Sequence, residues 1–417
     1  MDRASRSRLP ALAGLVYTVA GLIVAPLAFI SARMRQGWRQ RLGLELPGPC
    51  EVWIQGASAG ECNLVHSLID RLPGPVLLTT CTRQGIEVLE KIRSTTPFFA
   101  RMFPLDLPPL MSFVLTRVRP KVVVLLETEV WPGLLLACRN RNIPVVVINA
   151  RMSTPSLAGY LRLRPLLRLV PPAAVGAIAP ADAMRFDLVF GPGRTTVTGN
   201  IKFDRVPEMH LTLDAANPLE EVISPDSWFV VLGSVREEEE PLVLDMIRLV
   251  LEQKPRAVLG LFPRHMHRIR AWTDLLTGAG IPWARRSDLT KPADPGSVIV
   301  WDRFGELATA YALARRAFVG GSLKRLGGQN FLEPLARGTA AVVGPHTRNF
   351  SWVGDEIFRD LVVRNPDIHV LARTLTTPAP DRQEIRDKAM TYIRARQGAS
   401  AASIPLVTRH LSGDTHE

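Results

Sequence analysis

The chain has 417 residues, 47% of them hydrophobic, and a formal net charge of +12, so it is long enough for two domains with sizeable cores. The excess of Arg is spread along the chain, with no zinc-finger pattern and no aromatic RNA-binding motif, which ranks nucleic acid below a membrane surface or a phosphorylated substrate as partner. Cys50, Cys62, Cys81 and Cys138 form no C-x-x-C pair and no metal-like Cys/His spacing, so they read as reduced cytosolic thiols and no metal is expected.

Residues 9–32 contain no charge and are rich in Leu, Ala, Val and Ile. That length can cross a bilayer core of about 30 Å. Arg3, Arg6 and Arg8 precede it and Arg33, Arg35, Arg39 and Arg41 follow, so the body is expected on the cytoplasmic side. A cleaved signal peptide is the bland alternative, and no good A-x-A site follows. The expectation is an N-terminal anchor with a basic flank over 1–45, and a non-spanning anchor remains open.

From residue 51 short apolar runs alternate with amphipathic stretches. Strands are predicted over 52–55, 76–80, 121–126, 144–148, 174–178 and 195–198. Helices are predicted over 61–72, 84–93, 133–142 and 181–190. The run 121–126 is β-branched and nearly wholly apolar, as a parallel strand buried on both faces requires. The segment 206–225 breaks the rhythm and reads as a linker between a domain over 46–205 and one over 226–417. Strands then follow over 228–233, 257–262, 298–301, 317–320 and 340–343, with helices over 237–252, 265–278 and 305–315. A largely helical tail closes the chain over 381–411. This alternation predicts an α/β protein of two doubly wound, Rossmann-like halves facing a cleft, with ligands outside the carboxyl ends of the strands. The acidic run 237–240 reads as a complement to a helix dipole.

The candidate functional residues fall at strand ends. Gly320-Gly321-Ser322 and Gly327-Gly328-Gln329-Asn330-Phe331-Leu332-Glu333 lie between a strand and a helix. The glycines permit close backbone approach, the helix start favours an anion, Asn330 is placed to cap it and Glu333 can accept ribose hydroxyls. Gly56-Ala57-Ser58-Ala59-Gly60-Glu61 follows the first strand, and Glu61 is either a general base toward a hydroxyl or a first-turn dipole partner. Glu127 and Glu129 share a side if their segment is extended, and they bind a donor-rich group or pair structurally, for example with Arg151. Lys202 offers a charge to a carboxylate or phosphate. Pro263-Arg264-His265 and Phe304-Gly305-Glu306 also close strands, and His265 and His267 lack a third ligand for a metal.

These motifs occur in one order: Ala57–Glu61, Glu127–Pro132, Asn149–Ser153, Gly199–Asp204, Pro263–His265, Gly320–Leu323, Gly327–Glu333 and Gly344–Phe350. In that order the chain resembles the 3-deoxy-D-manno-octulosonate (Kdo) transferases of lipopolysaccharide synthesis. The resemblance covers nearly the whole chain. It implies a GT-B glycosyltransferase that moves Kdo from CMP-Kdo to a lipid A precursor by an inverting, metal-independent displacement, with no cofactor. By motif position Glu61 matches the base, and Glu129 and Lys202 match residues that stabilise the transition state. Pro263, Arg264, Phe304–Glu306 and Asn330–Glu333 match the CMP-binding segments. Other candidates are Ser58, Gly60, Glu127, Arg151, Ser322, Gly327 and Gly328. The implied setting is the bacterial inner membrane with an anionic lipid surface. Departures at Gln55-Gly56-Ala57, Met266-His267 and Lys324-Arg325-Leu326 bear on the acceptor and on the number of Kdo units. The rivals are another membrane-associated GT-B enzyme using a UDP- or GDP-sugar, a GT-B-like nucleotide-sugar epimerase, and a non-catalytic membrane scaffold.

Overall fold

The computed structural model describes residues 14–15, 17–19, 21–23, 35–206 and 217–411. The chain divides into two compact units. The first runs to Arg205 and takes back the chain from Arg396, and the second is Val206–Ala395.

The first unit is built on one parallel sheet of β1 (Val52–Gln55), β2 (Val76–Thr80), β3 (Phe98–Met102), β4 (Val122–Leu126), β5 (Val145–Ala150), β6 (Ala174–Ala177) and β7 (Thr195–Val197). The spatial order is β3-β2-β1-β4-β5-β6-β7. Val52 sits beside Val76 on one flank and Val122 on the other. Every residue of β4 is buried, because both faces of the sheet are covered. The period of two sends Trp53, Val123 and Leu125 to one face, under the helices Pro108–Val118 and Pro132–Asn140. Val52, Ile54, Val124 and Leu126 go to the other, with Leu406 and Val407 of the helix Ala399–Thr408. Each such side chain contributes about 1.5–3 kcal/mol by burial.

The second unit repeats the plan with β8 (Phe229–Val235), β9 (Val258–Pro263), β10 (Trp283–Arg285), β11 (Val298–Val300), β12 (Arg316–Val319), β13 (Ala340–Val343) and β14 (Val362–Arg364). Their order is β10-β11-β9-β8-β12-β13-β14, again all parallel. In each sheet the chain reverses its direction of winding once, between β1 and β4 and between β8 and β12. Loops at the carboxyl ends of those strands splay apart and leave a crevice for a ligand. The α/β, GT-B expectation therefore holds.

Several element expectations are corrected. The predicted helix over 61–72 is one short helix, Ala59–Cys62, followed by 3-10 turns. At its end the Asn63 side-chain amide donates to Ala59 O at 2.9 Å alongside the Asn63 backbone N–H, where the helix tightens into the first 3-10 turn. β3, β10 and β14 were not expected. All three are edge strands: β3 is buried only at Met102, β14 only at Val362, and β10 at no residue. The helix Pro108–Val118, for which no element was expected, opens on two prolines, which suit a helix start.

The predicted second domain does not keep its tail. Asp204 accepts from Gly398 N at 2.7 Å and Ser400 N at 2.6 Å, which fixes the start of the helix Ala399–Thr408 on the first unit. Part of the expected linker is core: Leu219, Val222 and Ile223 are buried against Phe229 and Tyr311, while 207–216 lie outside the described residues. The apolar stretch 9–32 also lies mostly outside them; its described residues are helical. Among the described residues no helix is long and apolar enough to cross a membrane.

Candidate active site

In the first unit the candidate side chains gather at the carboxyl ends of β1, β4 and β5. β1 runs into Gly56, where a Cβ would stand a tight 3.1 Å from Glu61 Cβ and 3.2 Å from Leu126, so Gly eases closure of the following turn. Ser58 then caps the helix Ala59–Cys62 reciprocally with Glu61. Ser58 N donates to Glu61 Oε2 at 2.7 Å and Glu61 N to Ser58 Oγ at 3.4 Å. Burial raises the Glu61 carboxyl above its ordinary range and the negative charge of Glu127 adds to this, while the Ser58 hydrogen bonds oppose it. Glu61 thus caps its helix and is also a carboxylate made more basic than usual, so the two sequence readings are not exclusive.

The segment after β4 is not extended. Glu127 has a left-handed backbone, φ 58°, as does Asn149 at the end of β5, φ 52°. That turn separates the two carboxylates. Glu127 Oε1 accepts from Lys202 Nζ at 2.6 Å and from Asn149 Nδ2 at 3.5 Å. Its partner is Lys202, not Arg151; Arg151 instead presents its carbonyl to the Thr128 hydroxyl. Glu129 Oε2 accepts from Trp131 Nε1 at 2.5 Å and Gln55 Nε2 at 3.4 Å. Burial, with repulsion from Glu61 and Glu127, lifts Glu129 to about 7.

Asn149 Oδ1 also accepts from Ile201 N at 2.9 Å, so one amide ties the Lys202 turn to Glu127. Asp106 accepts from Gly133 N at 2.9 Å and Leu134 N at 2.7 Å, capping the helix that follows the acidic loop, and receives the Tyr17 hydroxyl at 2.9 Å. Gln55, Asn149 and Asp106 were not among the candidates. All three lie within or beside the quoted motifs or at loop ends, but their role depends on partners far away in the chain.

In the second unit the candidate site is mostly backbone. Gly321, Gly327 and Gly328 have φ of 67°, 94° and 81°, which gives the loop after β12 its left-handed turns. Glu239, fully buried, accepts from Gly321 N at 2.6 Å and Leu323 N at 3.3 Å. The acidic run therefore does more than complement a helix dipole. Ser322 is buried and structural: its hydroxyl donates to Val319 O at 2.7 Å and accepts from Gly344 N at 2.9 Å.

The helix Leu332–Ala336 begins at Phe331, and Asn330 Oδ1 accepts from Leu332 N at 3.1 Å, so Asn330 serves the first turn as expected. Phe331 and Leu332 are buried, with Phe331 packed on Phe350 at 5.0 Å, which leaves their backbone rather than their side chains for a ligand. Glu333 is partly buried and burial raises its carboxyl. Pro263 is buried in β9, and Arg264 beyond it is exposed, with its N–H on Val235 O at 2.7 Å. Phe304 is 83% exposed beside Gly305, φ 87°, and Glu306 accepts from Trp301 Nε1 at 2.8 Å and Arg286 Nε at 3.0 Å.

Residues 36–205, which hold Glu61, Glu127, Glu129 and Lys202, match the profile of the family described as 3-Deoxy-D-manno-octulosonic-acid transferase (kdotransferase). The 3-deoxy-D-manno-octulosonic acid transferase of Bordetella pertussis is 32% identical over 93% of this chain and 97% of its own length. That of Haemophilus influenzae is 33% identical over 83% and 84%. Among solved structures, UDP-GlcNAc 2-epimerase of Neisseria meningitidis bound to UDP-GlcNAc superposes with a TM-score of 0.54 over 87% of this chain and all of the epimerase, at 13% identity, a likeness of fold alone. Sequence identity across almost the full length, together with the ordered strand-end motifs, settles the assignment: the chain belongs to the 3-deoxy-D-manno-octulosonic acid transferase family of glycosyltransferases.

Proposed function

We propose that the protein transfers Kdo from CMP-Kdo to a lipid A precursor, lipid IVA, at the cytoplasmic face of the bacterial inner membrane. The observation that carries this reading is Glu61, a partly buried carboxylate of raised basicity at the turn of the first sheet, set among Glu127, Glu129 and Lys202.

The reaction is an inverting displacement. The acceptor hydroxyl oxygen attacks the anomeric carbon from the side opposite the phosphate, the C–O bond to phosphate breaks, and CMP leaves with the electron pair. The acceptor proton passes to Glu61. A base in that position is worth roughly 10²–10⁴ in rate. Glu129, at about 7, exchanges a proton near neutrality and donates a hydrogen bond when protonated. Lys202, held by Glu127, supplies positive charge to the developing anion.

CMP is held by Pro263, Arg264, the turn Phe304–Glu306 and Asn330–Glu333. The helix start and Arg264 receive the phosphate, Glu333 the ribose, and no metal is needed. The apolar stretch 9–32 anchors the chain to the membrane, and the basic surface suits the phosphates of the acceptor.

The test is label transfer from freshly generated CMP-Kdo to a tetra-acylated, bis-phosphorylated disaccharide in detergent, with and without chelator. Labelled lipid, formed equally with chelator present, is expected, and its mass counts the sugars added. CMP binding without transfer would redirect the acceptor assignment. Stabilisation by UDP or GDP in place of CMP would favour a different donor.

A further inference from the structure

One cluster of arginines in the second unit, with a histidine beside it, lies outside the residues assigned above. A cavity of about 450 Å³ beside Gly327 is lined by Arg325, His346, Arg348 and Arg364. Among the described residues Asp355 is the one carboxylate on its wall; it stands 3.5 Å from Arg364 with its side chain 84% exposed. Such an open pair is screened by water, so the wall keeps a net positive charge.

The wall is fastened to the glycine loop. His346 N donates to Ser322 O at 3.0 Å and Asn349 N to Gly327 O at 2.8 Å. A Cβ on Gly327 would meet the Asn349 side chain at 2.5 Å, so the approach is as close as backbone allows. Arg364 is steadied over the Phe358 ring at 4.0 Å. Arg364 and the backbone of this wall are therefore held beside the glycine loop that leads into the helix start proposed to receive the nucleotide phosphate.

We propose that this cavity is a carboxylate-binding subsite that takes the C1 acid group of the donor sugar. The inference rests on the CMP-Kdo reading above. In an activated 2-keto sugar acid the anomeric carbon carries both the carboxylate and the phosphate ester oxygen. The two anions are then neighbours, and a protein that holds one at the helix start after the glycine loop needs a second cationic pocket close by. A guanidinium suits this because its fork of donors matches a carboxylate. A neutral sugar nucleotide makes no such demand, so the pocket would select sugar acids.

The test titrates free Kdo, and separately its C1 methyl ester, into the full chain saturated with CMP, for the wild type and for Arg348→Gln and Arg364→Gln. Losing a charge-assisted contact corresponds to roughly 10- to 100-fold in affinity. The wild type is expected to prefer the acid over the ester by that factor. Each variant narrows the preference while CMP affinity stays within about twofold and Tm shifts by only about 2 °C. Equal binding of acid and ester to a CMP-loaded wild type would overturn the subsite and leave the CMP reading standing. Parallel loss of CMP and acid affinity in the variants would also overturn it, by assigning the cations to the nucleotide phosphate. A wild type that binds neither CMP nor Kdo would take the donor reading down with it.

Discussion

The two units share a sheet plan but build their strand-end loops from different materials. In the first unit the loops after β1, β4 and β5 present titratable side chains, crowded so that Glu61 and Glu129 are both pushed up. In the second, the loop after β12 presents backbone: three left-handed glycines, a helix start, and side chains such as Phe331 and Leu332 turned into the core. The buried carboxylate there, Glu239, is spent on three backbone N–H groups, those of Gly321, Leu323 and Arg236. Side chains with shifted proton affinity suit bond making, and a fixed backbone cradle suits holding a nucleotide. On the proposed function the same fold carries a chemical half and a binding half.

That division can be broken by mutation. Apart from the base itself, the largest effect is expected for Lys202→Met, which strands Glu127 without its 2.6 Å partner. Transfer should fall by roughly 10²–10³, and stability by about 2 kcal/mol, read from kcat and from denaturant midpoints, with CMP affinity nearly unchanged. Glu239→Gln should do the reverse. It sets an amide NH₂ toward backbone donors, so CMP affinity should drop about tenfold in a thermal-shift titration.

Glu129→Gln sharpens the comparison through pH. The folded protein holds the Glu129 proton more tightly than the unfolded chain, since the carboxyl rises from 4.5 to about 7. Its contribution to stability is therefore full below about pH 4.5 and lost as pH rises through 7. The variant escapes that loss, so its Tm should gain on the wild type between pH 5 and pH 8 by about 2–4 °C. A variant that loses ground to the wild type over that range would contradict the burial argument. The smallest effect is expected for Phe304→Ala, whose ring is 83% exposed. Stability should change by less than about 0.5 kcal/mol, and any change in CMP affinity would mark the ring as a nucleotide contact.

How much of this was legible in the sequence varies by element. β4 announced itself, because Val122–Leu126 is an unbroken apolar run that only a doubly covered strand needs. The ordered motifs placed Glu61, Glu129 and Lys202 at strand ends, where the structure has them. β3 escaped because an edge strand needs no hydrophobic alternation, and all its residues but Met102 are half-exposed. The left-handed turn at Glu127 was hidden, since nothing in Glu-Thr-Glu signals a positive φ, and so was the choice of Lys202 over Arg151 as partner. Glu239 looked like one of four interchangeable acids, and only the packing against Gly321 singles it out. The tail helix is held by Asp204, a contact between residues almost two hundred positions apart that local pattern does not encode.

The central claim is that the base belongs to the first unit and acts apart from nucleotide binding. It is tested most directly by a single-turnover measurement of Glu61→Gln, with CMP affinity measured on the same sample. The account predicts that Kdo transfer falls by roughly 10²–10⁴ while CMP binds as in the wild type. Near-normal transfer with CMP binding intact would remove Glu61 as the base and contradict it.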